Sequence, residues 1–139
     1  MNKIGLDTDI LIYLLNEDSQ FHSACKNFIK KSLQDKVELY LTITNISETI
    51  QVLTKVYNLS YKEAFKEISG LLYNLNIIIV SCTPFTYYNI QESLVNQKRK
   101  NLIYDTLIAN IYIENEIFHL FTANKKDFTH IKDLVVITP

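Results

Sequence analysis

Short apolar runs alternate along this chain with longer stretches in which apolar side chains recur every three or four positions. The first pattern predicts strands buried in a sheet and the second amphipathic helices. Lys3 to Leu6 reads as a short strand ending at Asp7, and Ile10 to Leu15 as a helix. Ser19 is placed to cap a second helix carrying Phe21, Ala24, Cys25, Phe28, Ile29 and Leu33 at helical spacing. Val37 to Thr42 predicts a strand, and Asn45 to Tyr57 a helix with an Ile46, Ile50, Leu53 stripe. Ser60 followed by Glu63 is a capping-box pattern, opening a helix through Leu72. Asn76 to Ser81 is β-branched and almost continuously apolar, the pattern of a strand covered on both faces. Thr83 and Pro84 supply a cap and a first-turn proline for a helix reaching Lys98. Helix Asp105 to Ile113, strand Phe118 to Thr122, a short helix Lys125 to Ile131 and strand Leu134 to Thr138 complete the prediction.

Strands separated by helices predict right-handed crossovers, hence a parallel sheet with helices on both faces. Ligands of such sheets bind beyond the carboxyl ends of the strands. Two polar positions fall there, Asp7 after the first strand and Thr122 to Asp127 after the fourth. No repeat or Pro/Gly/Ser linker interrupts the pattern, so residues 1–139 read as one domain. With only 2 glycines, the chain lacks the glycine-rich phosphate loops of nucleotide-binding folds.

Composition narrows the class without choosing a function. Hydrophobic residues at 47% and charged residues at 21% match an ordinary globular protein rather than a disordered one. The longest aliphatic run, Ile77 to Val80, is far too short to span a bilayer, and aspartates interrupt the apolar N-terminal stretch. Cys25 and Cys82 share no metal-ligand spacing. Reduced thiols in a cytoplasmic protein are the expectation. A net charge of −1 is less basic than nucleic-acid binders usually are, so any positive charge that meets a polyanion must be local.

The candidate chemistry lies in carboxylates at strand-to-helix junctions. Asp7 ends an apolar strand, where ionisation is costly without a cation or donor nearby. Glu48 lies one turn into a helix, Asp105 begins a very apolar helix, and Thr122 to Phe128 follows a strand. Taken singly, each is as well explained by helix capping or by the helix dipole. Together they place an acid or amide at four successive junctions on one edge of the sheet. Hard divalent ions want oxygen ligands, and a bound ion would remove the mutual repulsion of such carboxylates. Metal-assisted attack of water on a phosphodiester is the chemistry that would follow.

These same residues are where the chain is similar to a PIN domain, and specifically to the VapC-type toxins of type II toxin–antitoxin pairs. Leu6-Asp7-Thr8-Asp9-Ile10-Leu11-Ile12 resembles the family's opening signature. Ser47-Glu48 resembles its second acidic position, Asp105-Thr106-Leu107-Ile108-Ala109 its third, and Phe121 to Phe128 its closing segment. The resemblance implies a three-layer α/β/α sandwich with a five-stranded parallel sheet and a Mg²⁺- or Mn²⁺-dependent endoribonuclease. It also implies Asp7 and Asp105 as main metal ligands, with Glu48 completing the acidic pocket or activating water. Thr8 and Thr122 would orient ligands or phosphate. For the fourth polar position, either Asn124 or Asp127 is available. A cognate antitoxin and a homodimer, meeting apolar faces of the first four helices, are further implications.

Two other functions are open to the same residues. In a haloacid-dehalogenase-like phosphatase Asp7 would be nucleophile and Asp9 acid/base, but the late glycine–aspartate signature is missing. A catalytically inactive PIN-like module binding RNA or protein is the second alternative. Lys98-Arg99-Lys100 and Lys125-Lys126 are candidate phosphate contacts, though such runs are commonly solvated helix ends. Tyr57, Tyr61 and Tyr73 fall at spacings that predict packing. His22, His119 and His130 form no zinc-binding set.

Overall fold

The computed structural model describes residues 2–139. Five strands, β1 (Lys3–Leu6), β2 (Glu38–Thr42), β3 (Ile78–Val80), β4 (His119–Phe121) and β5 (Val135–Ile137), form one all-parallel sheet ordered β3-β2-β1-β4-β5. The helices are α1 (Thr8–Leu15), α2 (His22–Gln34), α3 (Ile43–Lys55), α4 (Tyr61–Asn74), α5 (Thr86–Leu94) and α6 (Ile103–Glu114), with a 3-10 turn at Lys125–Phe128. Alternation along the central strands divides the core. Ile4, Leu6, Leu39, Leu41 and Phe121 meet α1, α2 and α4 on one face, where Phe28 and Phe121 stack at 4.0 Å. Tyr40 and Leu120 meet α6 and the chain after β4 on the other. The sheet is therefore covered on both sides, the three-layer arrangement expected.

Gly5, at the middle of β1, faces Tyr112 on α6. A Cβ there would lie 2.6 Å from the Tyr112 ring, so only glycine lets the helix approach. The Tyr112 hydroxyl donates to the Leu6 carbonyl (2.6 Å) and reaches Tyr40 O and Asn45 Oδ1, each at 3.1 Å. One buried phenol thus ties β1, β2 and α3 together just beneath the carboxyl edge of the sheet. The Ser60–Glu63 capping box forms as expected. A second box, with Thr42 capping α3 and Asn45 reaching back, starts that helix two residues earlier than its apolar stripe suggests.

Several expectations are corrected. β3 is the sheet's edge, not an enclosed strand, and leaves Ile78 (43%) and Ile79 (45%) exposed. Tyr57, Tyr61 and Tyr73 do not pack inward; Tyr73 is 84% exposed. Ser19 and Thr83 each accept from a backbone N–H two residues on, forming turns rather than helix caps. Helix α2 therefore begins at His22 and α5 at Thr86, and α5 ends at Leu94, short of the predicted Lys98. Among the described residues no helix is long and apolar enough to cross a membrane.

Candidate metal-binding active site

The strand order reverses between β1 and β4, which makes their carboxyl ends the topological switch point where parallel sheets bind ligands. Asp7 leaves β1 and Thr122 leaves β4 at that point. Asp7 caps α1 with one oxygen, accepting from Thr8 N at 2.8 Å, and accepts from the Thr122 hydroxyl at 2.7 Å with the other. Capping and site membership are thus two uses of one carboxylate. Thr8 turns its hydroxyl to Glu48 Oε2 on α3, and Asn45 Nδ2 donates to the Thr8 oxygen at 3.3 Å. Asp105 is the third residue of α6, not its cap. The helix starts at Ile103, after Leu102, which makes no side-chain cap, so the Asp105 carboxylate is not spent on the helix end.

Asp7, Asp9, Glu48 and Asp105 line one cleft of about 340 Å³, together with Thr8 and Asn124. Ile12, Tyr13 and Val52 form its apolar wall. Burial is the main electrostatic fact here. It pushes the Asp7 carboxyl up to about 7, aided by the neighbouring Asp9 charge and opposed by the Thr122 and Thr8 hydrogen bonds. Burial likewise lifts Asp105 to about 6, with further repulsion from Asp127 and Glu48 and partial relief from Arg99.

The alternatives for the fourth position separate in space. Asn124 lines the cleft and donates from Nδ2 to Asp9 Oδ2 at 3.3 Å. Asp127 is ion-paired with Arg99 and is not among the cleft-lining residues, although its charge still reaches Asp105. Thr122 is fully buried and does not line the cleft, but acts on it as a hydrogen-bond hub, donating to Asp7 and accepting from Asn124 N at 3.0 Å.

The sequence reading did not assign Asp9 to the metal pocket. Its Oδ2 accepts from Ala123 N (2.9 Å) and lies 3.3 Å from the Thr122 hydroxyl, while its Oδ1 is buried without a hydrogen-bond partner among the described residues. Residues two apart on a helix do not face each other. Asp7, however, stands outside the helix as its cap, so that spacing rule does not separate the pair. The available signal was the repeated acid immediately after an apolar strand.

Among the described residues no three His, Cys, Asp or Glu side chains are gathered tightly enough to enclose an ion on their own. The donor set nevertheless fits a hard divalent cation that keeps several waters and takes one or two carboxylates directly. An orphaned buried carboxylate oxygen and two carboxyls raised by burial and like charge are the deficits such an ion would correct.

A parallel sheet with an acidic cleft at its switch point places the chain among the α/β proteins that bind ligands beyond the carboxyl ends of their strands. Within that class the match is specific: residues 4–134 match the PIN domain, and the chain belongs to that family of nucleases. PIN-domain nucleases are generally divalent-metal dependent. The match sets aside the phosphatase alternative. No curated protein sequence matches the chain. Among solved structures, the fold is similar to that of VapBC2 from Rickettsia felis bound to a promoter DNA fragment. Identity there is 18%, the TM-score 0.77, and 99% of this chain and 98% of that one are covered. VapBC-1 from nontypeable Haemophilus influenzae is similar at 20% identity and TM-score 0.73, covering 98% and 97%. Mycobacterium tuberculosis VapC20, described as a Sarcin-Ricin loop cleaving toxin, is similar at 16% identity and TM-score 0.63, covering 84% and 86%. The fold is that of the VapC toxins.

Proposed function

We propose that the chain is a Mg²⁺- or Mn²⁺-dependent endoribonuclease and the toxin of a toxin–antitoxin pair. The observation that carries this reading is the meeting of Asp7, Glu48 and Asp105, from three distant stretches of chain, in one cleft at the switch point. Asp7 and Asp105 would hold the ion directly, with Asp9 and Glu48 completing the acidic shell. When bound, the ion would polarise phosphoryl oxygens and supply a water of lowered pKa. The residues of the chain itself hold and orient. Thr8 fixes one Glu48 oxygen, leaving the other to accept a proton from water. Thr122 holds the Asp7 carboxylate, and the Asn124 amide, on Asp9, is the polar group at the cleft rim in preference to Asp127. Lys98, Lys100, Lys125 and Lys126 are exposed and supply local positive charge to RNA phosphates.

The antitoxin partner is proposed on the VapBC character of the structural relatives and on a groove between α2 and α4. Leu14, Ile29, Leu33, Leu71 and Leu75 line it, a surface suited to an amphipathic helix. A homodimer and a cytoplasmic setting complete the proposal.

Incubating the purified protein with RNA and Mg²⁺ or Mn²⁺ tests the enzyme. Internal cleavage that is abolished by chelator and reduced at least 10²-fold by Asp105→Asn is expected, on the scale of lost electrostatic stabilisation. Cleavage indifferent to both would leave a catalytically inactive RNA- or protein-binding module.

A further inference from the structure

A second cavity, of about 530 Å³, opens between α5, α6 and the chain after the 3-10 turn. Its size is that of a small-molecule site, which typically occupies roughly 300–1,000 Å³. Its lining is unlike that of the acidic cleft. Asn96, Gln97 and Asn110 present side-chain amides, His130 an imidazole, and Ile113 and Ile131 an apolar floor. Asn110 is nearly buried on α6. Its Nδ2 donates to Thr106 O at 2.9 Å and to Ser93 Oγ at 3.5 Å, while its Oδ1 has no hydrogen bond among the described residues and is the atom left to a ligand. No side-chain hydrogen bond engages Asn96 or Gln97 among those residues, and His130 spends only Nε2, on the Thr106 hydroxyl at 2.8 Å.

Amides offer a donor and an acceptor side by side, the pattern displayed by the edges of nucleobases. An isolated anion would find one lysine, Lys132, set against Glu92 and Asp133. A neutral, planar, hydrogen-bonding group between an apolar floor and amide rims suits the cavity better.

The cavity and the acidic cleft share no lining residue, but α6 serves both, with Asp105 in the cleft and Asn110 in the cavity. Thr106, which ties Asn110 and His130 together, directly follows Asp105. The Arg99–Asp127 pair ties the segment before α6 to the 3-10 turn that precedes His130.

We infer that this cavity receives one unpaired nucleobase of single-stranded RNA, adjacent to the phosphate lying in the acidic cleft, and reads it through Asn96, Gln97 and Asn110. This rests on the nuclease reading for its neighbour but not for its own chemistry. Sequence-specific RNA recognition of this kind takes splayed bases by their exposed edges.

The test needs no catalysis. Metal-free ¹⁵N-labelled protein is titrated with the four homotetraribonucleotides while the side-chain amide signals of Asn96, Gln97 and Asn110 are followed. One base is expected to shift these signals and to bind about tenfold more tightly than the weakest, the scale of one or two net hydrogen bonds. Asn96→Ala/Gln97→Ala should level that preference while leaving the backbone spectrum in place. Absence of shifts with all four oligonucleotides, or an unchanged preference in the double variant, overturns the inference. Metal-dependent cleavage of a longer RNA, measured separately, keeps the two readings apart. Cleavage without shifts removes only the base pocket, and shifts without cleavage remove only the nuclease.

Discussion

Asp7 serves the fold and the cleft with different oxygens, and its charge is a cost to the metal-free protein. Its folded carboxyl titrates at about 7, against 3.8 in an open chain, with burial as the first cause. A raised carboxyl means that the folded state binds the proton more tightly than the unfolded state does. Its contribution to stability is therefore full below about pH 4, declines as pH rises toward 7 and is absent above. The difference is on the order of 4 kcal/mol. Asp7→Asn keeps an oxygen for Thr8 N, and the Thr122 proton retains Asp9 Oδ2 as an acceptor. Chemical denaturation of metal-free protein should show wild-type stability falling between pH 4 and 7.5, and the variant curve flatter and higher at pH 7.5. The same variant should lose RNA cleavage. A variant less stable than wild type at pH 7.5 would contradict the proposed burial of a charged carboxylate. Gly5 is the complementary case, where space rather than charge decides. Gly5→Ala drives a Cβ into the buried Tyr112 ring, and unfolding measurements should report a loss of about 1–3 kcal/mol.

Helix starts decide where the acids of this chain point. Ser60→Ala removes the hydroxyl that accepts from Glu63 N, and a loss of about 1 kcal/mol in denaturant unfolding is expected, with cleavage unchanged because α4 is absent from the cleft lining. The alternating strands, the Ser60 box and the strand-end acids were legible in the residues because each is a local pattern. What escaped was set by long-range partners. The edge position of β3 depends on which strand pairs with β2, and its apolar run has no signature separating an edge from a centre. The Thr42 box escaped because its third position carries asparagine instead of glutamate. Asn124 and Asp127 are one turn apart in sequence, and the ion pair of Asp127 with Arg99, from the segment before α6, exists only in the folded chain. His130 formed no motif, and its partner Thr106 comes from the crossing of α6 over the sheet.

At the scale of the whole molecule, a net charge of −1 conceals a steep local imbalance, with four carboxylates in one cleft at the switch point. β1 delivers Asp7, α3 carries Glu48 down from β2, and α6 crosses the opposite face to bring Asp105. The three meet only in the assembled sheet, so a cation bound there links segments that are separate in the unfolded chain. Such binding stabilises the fold in proportion to the logarithm of cation concentration above its dissociation constant. Protons compete for the same oxygens, because Asp7 and Asp105 are held up to about 7 and about 6. Metal binding must then release protons at acidic pH and meets free carboxylates at pH 8. Thermal melts with and without millimolar Mg²⁺ should give an increment in Tm at pH 8 that shrinks markedly at pH 5.5 and is reduced at both values by Asp105→Asn. An increment equal at the two pH values would place the ion somewhere other than among these carboxylates, and no increment at either pH would remove the metal site itself.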